Sequence, residues 1–298
     1  MLSITNKAQS LVNIINNNST VTYNNVSTGN LVTSTINEVY GEATDGLGNI
    51  FIVARLNTSF SILKIDGSTG NISLYAGLGP HSGNGSYYGI QNPNLYNDGD
   101  TRFNVDIIPN DLAIDQCNGD VYFTEPGYNR VRKIDGNTGV ITTVAGNNGL
   151  NTDPQVYGYS GDGGLAINAK LSYPKGIALD KNGNFYLVDW GNYVIREVNN
   201  QGIINTIAGD HRIKYSDGIF NDNSTAKGDP FDYLNGPIAI DNNFNLYISD
   251  GNSVKILNTS SSSNGFLSRI VYLSADVSFS IQGTINVYIH RGKMDSAM

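Results

Sequence analysis

The stretch Tyr159-Ser160-Gly161-Asp162-Gly163-Gly164-Leu165-Ala166 has the ingredients of a ligand loop: glycines that let backbone N–H groups converge, a carboxylate, and a tyrosine beside it. A phosphate loop would continue into Gly-Lys-Ser/Thr, and this one does not. The three histidines, His81, His211 and His290, stand too far apart for any short metal-ligand spacing. One cysteine, Cys117, gives neither a metal cluster nor an internal disulfide. Serines are abundant but none sits in a G-x-S-x-G elbow, so no Ser-His-Asp nucleophile is read. That leaves the carboxylates, and their spacing is informative.

Asp45, Asp115, Asp180 and Asp241 recur at intervals of 70, 65 and 61 residues. A ring of equivalents cannot serve one catalytic centre, and an aspartate before a turn accepts backbone N–H bonds, so these read as structural. A second set, Glu125, Asp189 and Asp250, is followed within four residues by Asn129, Asn192 and Asn252. These read as carboxylates that lock a turn, with Arg132 and Arg196 downstream available to neighbouring units. Ligand contact by such turns is the rival reading.

The elements that position these residues form a repeat. The segment 111–146, DLAIDQCNGDVYFTEPGYNRVRKIDGNTGVITTVAG, aligns with GIALDKNGNFYLVDWGNYVIREVNNQGIINTIAG at 176–209 and with PIAIDNNFNLYISDGNSVKILN at 237–258. A weaker copy lies at 42–77. Each reads as four strands: in 176–209 they are GIALD, NFYLVDW, VIREVN and IINTIAG, with Asn182-Gly183 as a hairpin signal between the first two. The second strands are apolar nearly end to end, as a sheet covered on both faces requires. Four-stranded units repeating at this period predict an all-β fold, a β-propeller of four-stranded antiparallel blades.

Composition agrees. Of 298 residues 39% are hydrophobic, enough for a substantial core, and 34 glycines with 18 tyrosines suit tight turns between aromatic-rich strands. A net charge of −8 and a pI near 4.7 argue against nucleic acid as partner. No run is long and apolar enough for membrane insertion. MLSITNKAQS lacks the apolar core of a secretory signal, so an extracellular or ectodomain setting needs a signal upstream of this chain.

The run from AGNNGLNTDPQVYGYSGDGGLAINAKLSYPKGIALD through KNGNFYLVDWGNYVIREV, with PGYNRVRKIDGNTGVITTVAG before it, resembles the NHL-repeat β-propeller family. Over four copies the resemblance covers about 220 residues and implies the fold. Blades are expected over approximately 40–77, 111–146, 176–209 and 237–274. Residues 276–298 resemble first and second strands and 10–29 third and fourth, which favours five blades with one composite blade closing the termini. A truncated six-bladed propeller is the alternative.

The resemblance also implies alternatives of function. Zinc-dependent peptide-amidating lyases would draw on His81, His211 and His290, all expected on one face. Calcium-dependent lactonase-like propellers would use positions before the first strands, here Asn110, Asp111, Lys175 and Asn235, at the tunnel mouth. Some family members bind RNA through strongly positive faces, which this composition lacks. The leading expectation is a non-catalytic interaction scaffold without cofactor, with a protein or peptide partner, or a glycan. Trp190 in the second-to-third-strand turn, with Tyr193 beside it, Tyr128 in the equivalent turn one blade earlier, and Asp189, are the contact candidates. Tyr159 is expected to pack on a seam and Asp162 to bond loop N–H groups.

Overall fold

The computed structural model describes residues 20–25, 29–57, 59–78, 98–146, 158–211, 226, 231, 234–251 and 253–259, with further strands at 271–272, 278–281 and 285–288. Four sheets follow one another along the chain. The first contains β2 (Asn30–Thr44), β3 (Ile50–Leu56), β4 (Ser59–Ile65) and β5 (Ile72–Ala76). The second is β6 (Leu112–Ile114), β7 (Val121–Glu125), β8 (Arg130–Ile134) and β9 (Ile141–Ala145). The third is β10 (Pro174–Leu179), β11 (Phe185–Asp189), β12 (Val194–Val198) and β13 (Ile204–Gly209). The fourth is β14 (Ile238–Ile240), β15 (Asn245–Asp250), β16 (Ser253–Asn258) and β17 (Val271–Tyr272). Each is an antiparallel meander, and these are propeller blades.

Alternation along the second strands explains why they are apolar throughout. Phe185 and Leu187 of β11 join a core with Ala113, Val131 and Ala145 of the second sheet. Tyr186 and Val188, one residue on, point the other way, into a core with Ile238, Ile240, Leu246 and Ile248 of the fourth. The first and second sheets meet likewise through Phe51, Val53 and Ile62 against Leu112, Ile114, Val121 and Phe123. A strand with period-two side chains and apolar contacts on both faces has no polar face to spare.

The strand-closing aspartates are turn locks. Asp180 accepts from the N–H groups of Asn182 and Asn184, both at 2.9 Å, and from Asn184 Nδ2 at 2.8 Å. Asp241 repeats the arrangement with Asn243 and Asn245. Asp45 takes the N–H groups of Leu47 and Asn49, and Asp115 that of Cys117.

The first sheet carries one strand more than the other three. β1 (Thr20–Asn25) pairs antiparallel with β2 from Thr20↔Thr35 to Asn25↔Asn30 and meets β5 through a parallel bridge, Asn24↔Ser73, closing β1–β5 into a small barrel. Val21 and Tyr23 pack inside it with Ile36, Ile52, Ala54, Leu56 and Leu63. Both edges of β1 are therefore used within the first sheet; residues 10–19 and most of 276–298, on which the expected composite blade rests, lie outside the described residues. The physical reason for the extra strand is burial: one face of the first blade packs on the second blade, and β1 curls over the other. At the far end β18 (Ser278–Ile281) and β19 (Ile285–Tyr288) pair with each other.

Gly146 ends β9 at φ +87°, and a Cβ there would stand 2.2 Å from the Asn129 carbonyl oxygen. Gly202 has a similar φ of +77° with nothing nearby. Gly146→Ala should therefore lose clearly more stability in urea unfolding than Gly202→Ala, which carries only the backbone cost of about 1–2 kcal/mol. Equal losses would show that the close approach does not matter.

Candidate functional site

A buried ionic joint sits where the second strand ends in the second, third and fourth blades. In the third blade Asp189 closes β11 and is fully buried. Its Oδ1 accepts the Ser172 N–H at 2.7 Å, and its Oδ2 accepts Asn192 Nδ2 at 2.8 Å and Arg196 Nη1 at 3.3 Å. Arg196 then reaches with Nη2 to Asp162 Oδ1 at 2.8 Å and to the Ser160 carbonyl at 3.1 Å. Asp162 Oδ1 also accepts the Thr206 N–H of β13 at 3.0 Å. Burial pushes the Asp189 carboxyl up to about 6, against the pull of Arg196. Burial acts on Asp162 too, but Arg196 and Thr206 outweigh it and hold that carboxyl below its ordinary range.

The second blade repeats the joint with other residues. Glu125 Oε1 accepts the Ile108 N–H at 2.9 Å, and Oε2 accepts Arg130 Nε at 2.6 Å with Arg132 at 3.9 Å. Arg132 turns to Asp98 at 2.9 Å, and Asp98 Oδ2 accepts the Thr143 N–H of β9 at 2.8 Å. In the fourth blade Lys255 takes the guanidinium's place, 3.0 Å from Asp250. Arg132 and Arg196 thus hold the loop leading into their own blade, a correction to the expectation that they serve neighbouring units. Asp98 was missed, although its separation of 34 residues from Arg132 equals that of Asp162 from Arg196.

Tyr159 completes the loop. Its hydroxyl meets Thr206 Oγ1 at 2.7 Å and Asp162 Oδ2 at 3.1 Å, and its ring lies 5.0 Å from the Arg196 guanidinium. His211 stacks on that ring at 3.9 Å and 8°. Asp162 fastens the loop to the sheet as well as to the tyrosine. His81 and His290 lie outside the described residues. Among the described residues no group of three His, Cys, Asp or Glu could hold a metal.

Two of the contact candidates turn out to be internal. Asp189 is spent on the joint. Tyr128 is buried with Phe60 and Ile108 in the seam between first and second blades, with Arg130 over its ring at 4.8 Å. Sequence reasoning could not separate it from Trp190, because the two turns have the same length and both bring an aromatic.

At the starts of the first strands, Asp111 is also spent on backbone. Its Oδ1 accepts the Leu112 N–H at 2.9 Å, and its Oδ2 crosses the seam to the Ile177 N–H of β10 at 3.1 Å. Burial pushes its carboxyl up to about 7, Glu42 adding to the effect and the two N–H bonds opposing it. Asn110 is half-buried, its N–H on the Thr124 carbonyl at 2.9 Å.

What the structure brings together is a half-exposed group from two places. Lys175 Nζ donates to Asn235 Oδ1 across the next seam and stands 4.1 Å from the centre of the Trp190 ring. Trp190 meets Tyr173 edge-on at 5.6 Å. Tyr193 follows in the left-handed region at φ 57°, half-exposed. Trp190, expected in a turn, and Asn235, expected at the tunnel mouth, thus meet at one lysine, with Tyr173 beside them.

The model of the teneurin NHL domain matches residues 147–229. Teneurin-3 of Danio rerio is 33% identical over 162 residues, which is 49% of this chain and 6% of that protein. Teneurin-m of Drosophila melanogaster is 46% identical over 56 residues, 19% of this chain and 2% of that protein. The chain thus spans only a small part of the curated relatives it matches. A solved Bacteroides thetaiotaomicron protein of unknown function, 21% identical, superposes with a TM-score of 0.50 over 78% of this chain and 51% of that one, a likeness of fold.

Two outcomes follow from this geometry. Arg196→Met strands two carboxylates and should cost about 3–5 kcal/mol in chemical denaturation, whereas Asp162→Asn, at the partly exposed end, should cost less; the reverse order would contradict the joint. Asp111 is raised above its unfolded value of about 3.9, so its contribution is complete below that pH and is lost as pH rises through about 7. The stability difference between the parent chain and Asp111→Asn, measured at a series of pH values, should fall over that window.

Proposed function

Because the chain is an NHL-repeat β-propeller, we propose that it is a non-catalytic interaction module that binds a protein or peptide partner around Trp190. One observation carries this reading. The carboxylates that could do chemistry, Glu125, Asp111, Asp162 and Asp189, are occupied by backbone N–H groups, guanidinium groups or both. Trp190, Tyr193, Lys175, Asn235 and Asn110 meanwhile keep part of their surface exposed. Partly exposed aromatics held by rigid strands suit recognition, since little side-chain entropy is lost when a partner covers them.

Trp190 is the strongest contact residue on this reading. Its ring packs partly on the core between third and fourth blades, so its outer surface is presented without freedom to collapse. The glycan alternative draws on the same aromatic surface, with Asn110 and Asn235 as hydrogen-bonding groups.

The test is selection of displayed peptides on the immobilised chain, with a carbohydrate array in parallel. Selected ligands should bind Trp190→Ala at least about tenfold more weakly, with the variant's folding checked by thermal melting, and Tyr193→Ala should weaken the same ligands. Ligands that bind both variants unchanged would place the contact elsewhere, and the absence of any selected ligand would count against an interaction role.

A further inference from the structure

Cations among the described residues stand in several environments, and Arg102, like Lys175, is half-buried with aromatic rings rather than a carboxylate beside it. Arg130, Arg132, Arg196 and Lys255 are fully buried, and each is met by a carboxylate. Lys175 is half-buried, yet among the described residues no carboxylate oxygen comes within ion-pair distance of its Nζ. Among the described residues its recorded partners are the neutral Asn235 Oδ1 and the face of Trp190. Burial lowers its pKa. An ammonium group has three N–H donors, and one amide oxygen with one aromatic face leaves donor capacity for solvent or a ligand.

We propose that Lys175, flanked by Asn235 and the Trp190 ring, is the anchor of a carboxylate-binding site, and that the partner presents an acidic group to it. The proposal rests on the interaction reading above and names the chemistry of the partner. A single ammonium suits a single negative charge. A phosphate dianion is held best by several converging donors, a guanidinium fork or a set of backbone N–H groups, and among the described residues Lys175 has neither beside it. Trp190 and Tyr173, meeting edge-on, form an apolar wall for the body of the residue that carries the carboxylate. With a net charge of −8 the chain does not attract acidic ligands in general, so a contact here depends on local pairing at Lys175.

The chain's one tryptophan lies against the proposed site and reports on it by fluorescence. Three probes separate the sources of a carboxylate: N-acetylglutamate α-amide carries it on the side chain, N-acetylalanine at the C-terminus, and N-acetylglutamine amide has none. Titration should give a saturable change in emission with one or both carboxylate probes and none with the neutral one, and the probe that binds identifies the source. Binding should weaken at least about tenfold in Lys175→Met and persist in Lys175→Arg, which keeps the charge should the methionine variant fold poorly. Equal response to the neutral probe, or unchanged binding in Lys175→Met, would overturn the proposal. If peptides selected on the parent chain lose affinity for Trp190→Ala while Lys175→Met binds them unchanged, the carboxylate site fails and the interaction reading stands. If no peptide is selected at all, it is the interaction reading that fails.

Discussion

The fold depends on a charge that cannot be left alone. Glu125, Asp189 and Asp250 end their second strands in a fully buried position, where an unpaired carboxylate would cost several kcal/mol. Each is met by a cation from the third strand, and in the second and third blades by a backbone N–H from just before the first strand. In the third blade the same guanidinium, and in the second the neighbouring Arg132, then reaches the loop aspartate, which in turn holds an N–H of the fourth strand. One buried ion therefore ties together the start, middle and outer edge of a blade. Geometry is over-determined where a polar group must be satisfied, and the long connection before each blade lands where that requirement puts it.

Once the connections are fixed, the blades have little freedom in how they meet. Side chains alternating along β11 fill two different cores, so a slip of one residue would bring the wrong set to each neighbour. The first blade meets the second blade on one face only. β1 supplies apolar Val21 and Tyr23 to the other, which makes the blade into a barrel. Covering a face and covering an edge are separate problems, and β1 answers both within one sheet by pairing with β2 and β5.

Much of this was legible in the amino-acid sequence, because repetition exposes structural roles. Asp180 and Asp241 stand in the same short context and hold the same turn, and the apolar runs at 50–56 and 185–189 announce burial on both faces. The closure of the first sheet was not legible: 20–25 has the alternation of a strand, and alternation does not say which strand it joins. The reach of Arg196 was hidden for a related reason, since its partner Asp162 lies 34 residues away in a loop of irregular backbone. Tyr128 and Trp190 looked alike because their turns are alike. What separates them is the neighbouring blade, which supplies Phe60 and Ile108 to one and Lys175 with Tyr173 to the other.

That contrast explains where recognition can reside in a repeat protein. Positions that hold the same turn in every blade are filled alike, as the strand-closing aspartates are. The position five residues before each of them is filled differently, by Tyr40, Asn110, Lys175 and Gly236 in turn. The residue after the buried carboxylate varies as well, being Pro126, Trp190 and Gly251. Both positions border the seams, so neither is free of structural demands, yet no common demand has made them uniform. Lys175 and Trp190 fill the two variable positions of one blade and touch each other. In this blade the two variable positions thus form a single cluster, and it holds a cation with no carboxylate at ion-pair distance among the described residues.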